Sequence, residues 1–140
     1  MMDNLKQKQW DEYFLNLVAG IGQKSKDPNT KVGAIIVDQN NRIISTGYNG
    51  FPAGMDETPE LWVRPVKYNF CVHAEINAIL YARCSLEDAT IYVSFMPCKE
   101  CAKTIAASGI KRVVCFERDD KVDLVSLDIF KRCAIEFVVY

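Results

Sequence analysis

Two short strings in this sequence set metal-ligating and proton-carrying side chains at usable spacings: His73-Ala74-Glu75, and Pro97-Cys98-Lys99-Glu100-Cys101. Cys98 and Cys101 stand three residues apart, so on a helix both thiols share one face. Pro97 suits a helix start, and a helix N-terminus favours the thiolate form that metals require. One imidazole and two thiolates make a tetrahedral zinc set with a fourth position left for water. Water held there has its pKa lowered to about 7, which makes hydroxide available near neutrality. Glu75, two residues beyond His73, can reach that water without ligating the metal, as a proton shuttle must.

Other uses of the same residues have to be weighed. His73, the chain's sole histidine, could be a hydrogen-bonded structural residue. A closed structural site could take Cys71, His73, Cys98 and Cys101. That arrangement leaves Glu75 without a purpose, and Cys71 and His73 are too close in sequence to chelate one ion easily. A redox C-x-x-C pair is the third use, but such motifs carry no partner H-x-E. The remaining cysteines read as reduced thiols, Cys115 in the core of Val113–Phe116 and Cys84 and Cys133 near helix ends.

The elements that must position these strings follow from periodicity. Trp10, Phe14, Leu17, Val18 and Ile21 recur at helical spacing and predict an amphipathic first helix. Gly22–Thr30 ends it. Lys31–Val37 and Arg42–Gly47 read as strands joined by Asp38-Gln39-Asn40-Asn41 into a hairpin. A long proline- and glycine-containing segment runs from Tyr48 to Asn69, and its length points to function. Then come a helix over His73–Arg83 with Ile76, Ile79 and Leu80 on one face, a strand over Ala89–Phe95, and a helix from Cys98 to a C-cap at Gly109. Arg112–Phe116, Lys121–Arg132 and Ala134–Val139 follow as strand, helix and strand. Three strands separated by helices imply parallel pairing through right-handed crossovers. The fold class is α/β: a mixed five-stranded sheet between helical layers, hairpin at one side, last strands parallel. Both chemical strings open a helix after an extended stretch, and such turns gather at the sheet edge where ligands bind.

Composition narrows the field. The chain has 140 residues, 49% apolar and 25% charged, with formal net charge -1. That suits a single domain, 1–140, with a real core. The charge gives no footprint for polynucleotide binding. The polar N-terminus is no signal peptide, and no apolar run approaches a membrane span. The expectation is therefore a cytoplasmic protein without nucleic-acid or membrane partners.

The strings DPNTKVGAIIVD (27–38), STGYNGFPAGMDE (45–57), HAEINAIL (73–80) and IYVSFMPCKECAKTIAASGIKRVV (91–114) resemble the deoxycytidylate (dCMP) deaminase family. This belongs to the zinc-dependent cytidine/deoxycytidylate deaminase superfamily, whose signature is H-x-E with P-C-x-x-C. The resemblance runs from about Lys24 to Val114. It implies a three-layer α/β/α cytidine-deaminase-like fold and hydrolysis of dCMP to dUMP and ammonia by zinc-activated hydroxide attacking C4. Carried over by motif, His73, Cys98 and Cys101 hold one catalytic Zn²⁺, and Glu75 moves protons from water to N3 and to the departing ammonia. The Ala74 N–H would hold the pyrimidine O2. Asn49 would meet the sugar 3′-hydroxyl, although Asn-Gly is also a strong turn signal. Lys24, Ser25 and Lys26 offer cations, a hydroxyl and N–H groups to a monophosphate, and the Ser94 backbone would line the base pocket.

The resemblance also implies a homohexamer, activated by dCTP and inhibited by dTTP, with Mg²⁺ accompanying the triphosphate. The segment after Tyr48 would be regulatory: Gly50 for close backbone approach, Phe51 to stack a base, Arg64 or Lys67 to meet phosphate. Many relatives carry a histidine- or cysteine-rich insert here. This chain has no histidine but His73, so no second histidine-containing metal site is expected. Two rival functions share the motif. A tRNA adenosine deaminase would use the same catalytic residues, but near-neutral charge and GYNGFP argue against it. A non-catalytic zinc-stabilised binding module would be indifferent to Glu75→Gln.

Overall fold

The computed structural model describes residues 3–140. The elements run α1 (Asn4–Gly22), β1 (Gly33–Val37), β2 (Ile43–Tyr48), α2 (Ala74–Leu80), β3 (Thr90–Val93), α3 (Lys99–Ala107), β4 (Arg112–Cys115), α4 (Leu124–Arg132) and β5 (Glu136–Val139). Two 3₁₀ turns, Pro59–Trp62 and Val66–Asn69, lie between β2 and α2. The sheet order is β2-β1-β3-β4-β5. β1 is antiparallel to both neighbours, and β3, β4 and β5 pair in parallel, as strands separated by helices require.

Side-chain alternation along the strands divides the core into two layers. On one face, Phe14, Leu15 and Val18 of α1 pack on Ile35, Val37, Tyr92 and Val114. On the other, Ala34, Ile36, Ile91, Val93 and Val113 meet Ala74 and Ala78 of α2, Ile105 of α3 and Phe130 of α4. All five residues of β1 are buried, which explains its unbroken apolar sequence: both faces are covered and both edges paired. Asp38 Oδ1 accepts the N–H groups of Asn40 and Arg42, and Asn41 adopts φ 59°, so the hairpin turn is fixed by its own polar residues.

Three sequence expectations change. The buried stripe of α1 is Asp11, Phe14, Leu15 and Val18, while Trp10 and Leu17 remain partly exposed. The helix is turned so that Asp11 faces inward, where Arg112 donates to both its oxygens at 2.7 Å and the Tyr92 and Tyr140 hydroxyls donate at 2.6 and 2.7 Å. In α2 the core side is Ala74, Glu75 and Ala78, and Leu80 points outward. Small residues are needed there because β2 runs against the helix backbone: a Cβ on Gly47 would stand 2.5 Å from the Ala78 nitrogen. Finally, the segment from Tyr48 to Asn69 is not structureless. Besides its 3₁₀ turns it has an aromatic core of its own, Phe51 stacked on Trp62 at 4.2 Å with Phe70 edge-on.

Among the described residues, no helix is long and apolar enough to cross a membrane.

Candidate metal centre and active-site cavity

The start of β1 and the ends of β2, β3 and β4 all reach the same edge of the sheet, because β1 runs antiparallel to β2 and β3 and β4 parallel to β3. A cavity of about 310 Å³ opens there. This is the edge at which α/β sheets bind ligands. His73 is the N-cap of α2 and Cys98 the N-cap of α3, both with extended backbone and neither with a side-chain hydrogen bond to the helix it starts. Cys101 lies one turn into α3 and is buried.

The fold brings these three donors together. His73 Nδ1 lies 3.2 Å from Cys101 Sγ and 3.6 Å from Cys98 Sγ, and all three ligand atoms lie within 4.8 Å of one another. A tetrahedral zinc ion with bonds of ordinary length separates its nitrogen and sulfur ligands by about 3.6 Å. The donor set and spacing therefore fit zinc. The hydrogen bond from Cys101 pulls the Cys98 thiol down to about 4, with His73 adding to the effect against the penalty of burial. The shared bond and burial push Cys101 the other way. Both thiols must be deprotonated to hold a metal ion, so metal binding would release protons.

Glu75 sits in the first turn of α2, buried in the cavity wall, and burial pushes its carboxyl above the ordinary range. Ala74, also in the wall, has a first-turn N–H with no carbonyl one turn back to receive it. Asn49 lines the cavity within a buried polar cluster. Its Oδ1 accepts the Val32 N–H at 2.9 Å, and its Nδ2 donates to the Thr30 carbonyl at 2.9 Å and to Asp27 at 3.4 Å. Lys67 donates to Asp27 at 2.7 Å with both side chains buried. Burial alone would raise the Asp27 carboxyl, but Lys67 and the Asn29 and Thr30 N–H groups hold it below its usual value.

Several anticipated residues stand elsewhere. Ser25 is buried and donates to the Asn49 carbonyl at 2.8 Å, so it braces Asn49 from behind. Lys26 reaches out to Glu57 at 3.2 Å, and Lys24 is exposed; neither lines the cavity. Ser94 is tied to β1 through the Gly33 N–H at 3.0 Å. Phe51 is buried under Trp62, and Lys67 lines the cavity with its ammonium held by Asp27. Gly50 pairs with Val72 in an isolated bridge. Arg64 does line the cavity, touching Thr30 Oγ1 at 3.4 Å.

The segment after β4 adds residues to which neither chemical string points. Lys121 and Asp123 line the cavity, and Lys121 Nζ sits 5.3 Å from the ring centre of Phe95, which is also in the wall. Their signal was positional: they follow the end of a parallel strand that shares its edge with the P-C-x-x-C turn. The charges of the wall balance unevenly. Asp27 is matched by Lys67, and Asp120 by Arg118. Among the described residues, Arg64 and Lys121 have no carboxylate partner. The wall also carries Glu75 and Asp123, so an anionic group would be met locally, at Arg64 and Lys121, and not by the wall as a whole.

Comparison with known proteins agrees with this geometry. Residues 8–117 match the family model described as the cytidine and deoxycytidylate deaminase zinc-binding region. A probable deoxycytidylate deaminase of Caenorhabditis elegans is 43% identical over 114 residues, covering 78% of this chain and 58% of that protein. The Homo sapiens deoxycytidylate deaminase is 41% identical over 113 residues, 76% of this chain and 64% of that one. The chain thus spans about three fifths of the length of these two relatives. The dCMP deaminase of cyanophage S-TIM5, crystallised with dCMP and dUMP, superposes with a TM-score of 0.78 at 25% identity over 100% of both chains. The chain belongs to the zinc-binding cytidine and deoxycytidylate deaminase family.

Proposed function

We propose that this chain hydrolyses dCMP to dUMP and ammonia, with zinc held by His73, Cys98 and Cys101 and with Glu75 carrying the protons. The observation that carries the reading is the three-donor cluster sharing a cavity wall with the buried Glu75 carboxyl. The choice of substrate is supported by the deoxycytidylate deaminases among the relatives and by the dCMP and dUMP bound to the S-TIM5 enzyme. It is also supported by the two cations without carboxylate partners, Arg64 and Lys121, which suit a 5′-phosphate.

When bound, zinc supplies a Lewis acid that lets water act as a nucleophile near neutral pH. Glu75 accepts the proton that water gives up and passes it to N3 of cytosine. It then takes the proton of the new C4 hydroxyl, as that becomes the carbonyl, and gives it to the departing amine, a double duty suited to a carboxyl that burial raises. The Ala74 N–H donates to the pyrimidine O2. Asn49, held still by Val32, Thr30 and Ser25, offers the free lone pair of Oδ1 to the 3′-hydroxyl.

The chain acts as one domain, 1–140, in the cytoplasm. It forms a homo-oligomer, a hexamer by resemblance, which would help to bury the exposed Ile43, Tyr48, Leu80 and Tyr81. Regulation by dCTP and dTTP, with Mg²⁺ accompanying the triphosphate, would use the segment between β2 and α2.

Substrate choice is tested by measuring ammonia release from dCMP, CMP, deoxycytidine, cytidine and adenosine-containing RNA separately. dCMP should show the highest kcat/KM. Activity confined to RNA, or to unphosphorylated nucleosides, would overturn the assignment. Repeating the dCMP assay with dCTP or dTTP tests regulation alone.

A further inference from the structure

Cys98 occupies the N-cap of α3 but makes no side-chain cap hydrogen bond. If its sulfur is given to a metal, the first N–H groups of α3 need another acceptor. The one that meets the leading N–H comes from outside the helix. Asp123 Oδ2 accepts the N–H of Lys99, the residue directly after Cys98, at 3.0 Å. The backbone N–H of Asp123 lies 3.1 Å from Sδ of Met96, two residues before Cys98. Asp123 therefore grips the P-C-x-x-C turn on both sides of the ligand.

The other carboxylate oxygen has a different task. Asp123 Oδ1 accepts the N–H groups of Val125 at 3.0 Å and Ser126 at 3.1 Å, capping α4. One carboxylate thus fastens the starts of two helices to each other. Asp123 also ends the segment after β4 and lines the cavity. We infer that Asp123 is a positioning residue of the metal centre: it fixes the backbone around Cys98 and ties that turn to the segment carrying Lys121. This inference rests on the assignment of Cys98 and Cys101 as zinc ligands.

The two oxygens allow the roles to be separated. Asp123→Asn keeps one oxygen to cap α4 and turns an amide NH₂ toward the Lys99 N–H, so the second contact is lost while the cap survives. The experiment follows zinc transfer from the loaded wild type, Asp123→Asn, Asp123→Ala and Phe130→Leu to a chromogenic chelator, with thermal melting of each. Phe130 packs α4 into the core cluster and takes no part in the hydrogen bonds to Lys99 or Met96, so its variant loosens α4 through packing while the Asp123 contacts to the turn stay in place.

Expected is zinc release about tenfold or more faster from both Asp123 variants, the scale on which partners of metal ligands act. Asp123→Asn should melt near the wild type, and Phe130→Leu should melt lower yet release zinc at the wild-type rate. Wild-type release from Asp123→Asn, or accelerated release from Phe130→Leu in step with its lower melting point, would overturn the inference. Wild-type protein that never holds zinc would instead overturn the ligand assignment beneath it.

Discussion

At the scale of single residues, the proposed function divides the site into groups that would hold, groups that would move protons and groups that would select. Glu75 belongs to the second kind, so Glu75→Gln should keep about one zinc per chain while kcat for dCMP falls by about 10³-fold or more. Metal analysis alongside ammonia release checks this, and unchanged turnover would return the chain to a binding module. Arg64 and Lys121 belong to the third kind. A charge-assisted contact is worth about 1.5–3 kcal/mol, so Arg64→Ala or Lys121→Ala should raise KM for dCMP about tenfold or more and leave deoxycytidine nearly unaffected. Steady-state kinetics on both substrates would show it. Lys67→Ala should act differently, because it strips the buried Asp27 of its partner and frees the Asn49 cluster. Its expected cost is in stability as well as KM.

At the scale of elements, helices and strands were legible from period and punctuation, and so was the parallel pairing. The metal donors were legible as well, since a lone histidine in H-x-E and a proline-led C-x-x-C carry their spacing in the sequence. What escaped was any feature decided by partners distant along the chain. α1 turns Asp11 inward because Tyr92, Arg112 and Tyr140 are waiting for it, some 80 to 130 residues away. Lys67 is buried for the same kind of reason, and Phe51 finds Trp62 rather than solvent. The Asp11 cluster joins α1 to β3, β4 and the C-terminus. Burial alone would raise the Asp11 carboxyl, but Arg112, Tyr92 and Tyr140 together hold it below its ordinary value. A carboxyl lowered on folding stabilises the protein above its unfolded pKa of about 4, and that contribution is lost as pH falls through the folded pKa. The urea midpoint should therefore drop as pH falls below about 4. Asp11→Ala should cost about 3 kcal/mol or more at pH 7 by removing the buried acceptor of Arg112, Tyr92 and Tyr140 and leaving Arg112 only its pairing with the exposed Glu136, and should flatten that acid limb. Equilibrium unfolding from pH 7 to 3 measures both.

At the scale of the molecule, the sheet's mixed direction gathers the site. Because β1 reverses between β2 and β3, four strand ends from distant parts of the sequence open onto one cavity. α2 and α3 start there and hand it His73 and Cys98, while the turn after β4 closes it with Lys121 and Asp123. The proposed chemistry depends on that convergence being completed by one metal ion. The most direct measurement strips the protein with a chelator and returns zinc stepwise while ammonia release from dCMP is followed. Activity should vanish on stripping, recover in proportion to added zinc and level off at about one equivalent per chain. Turnover that survives complete stripping, or a protein that takes up no zinc while deaminating dCMP, would contradict the account.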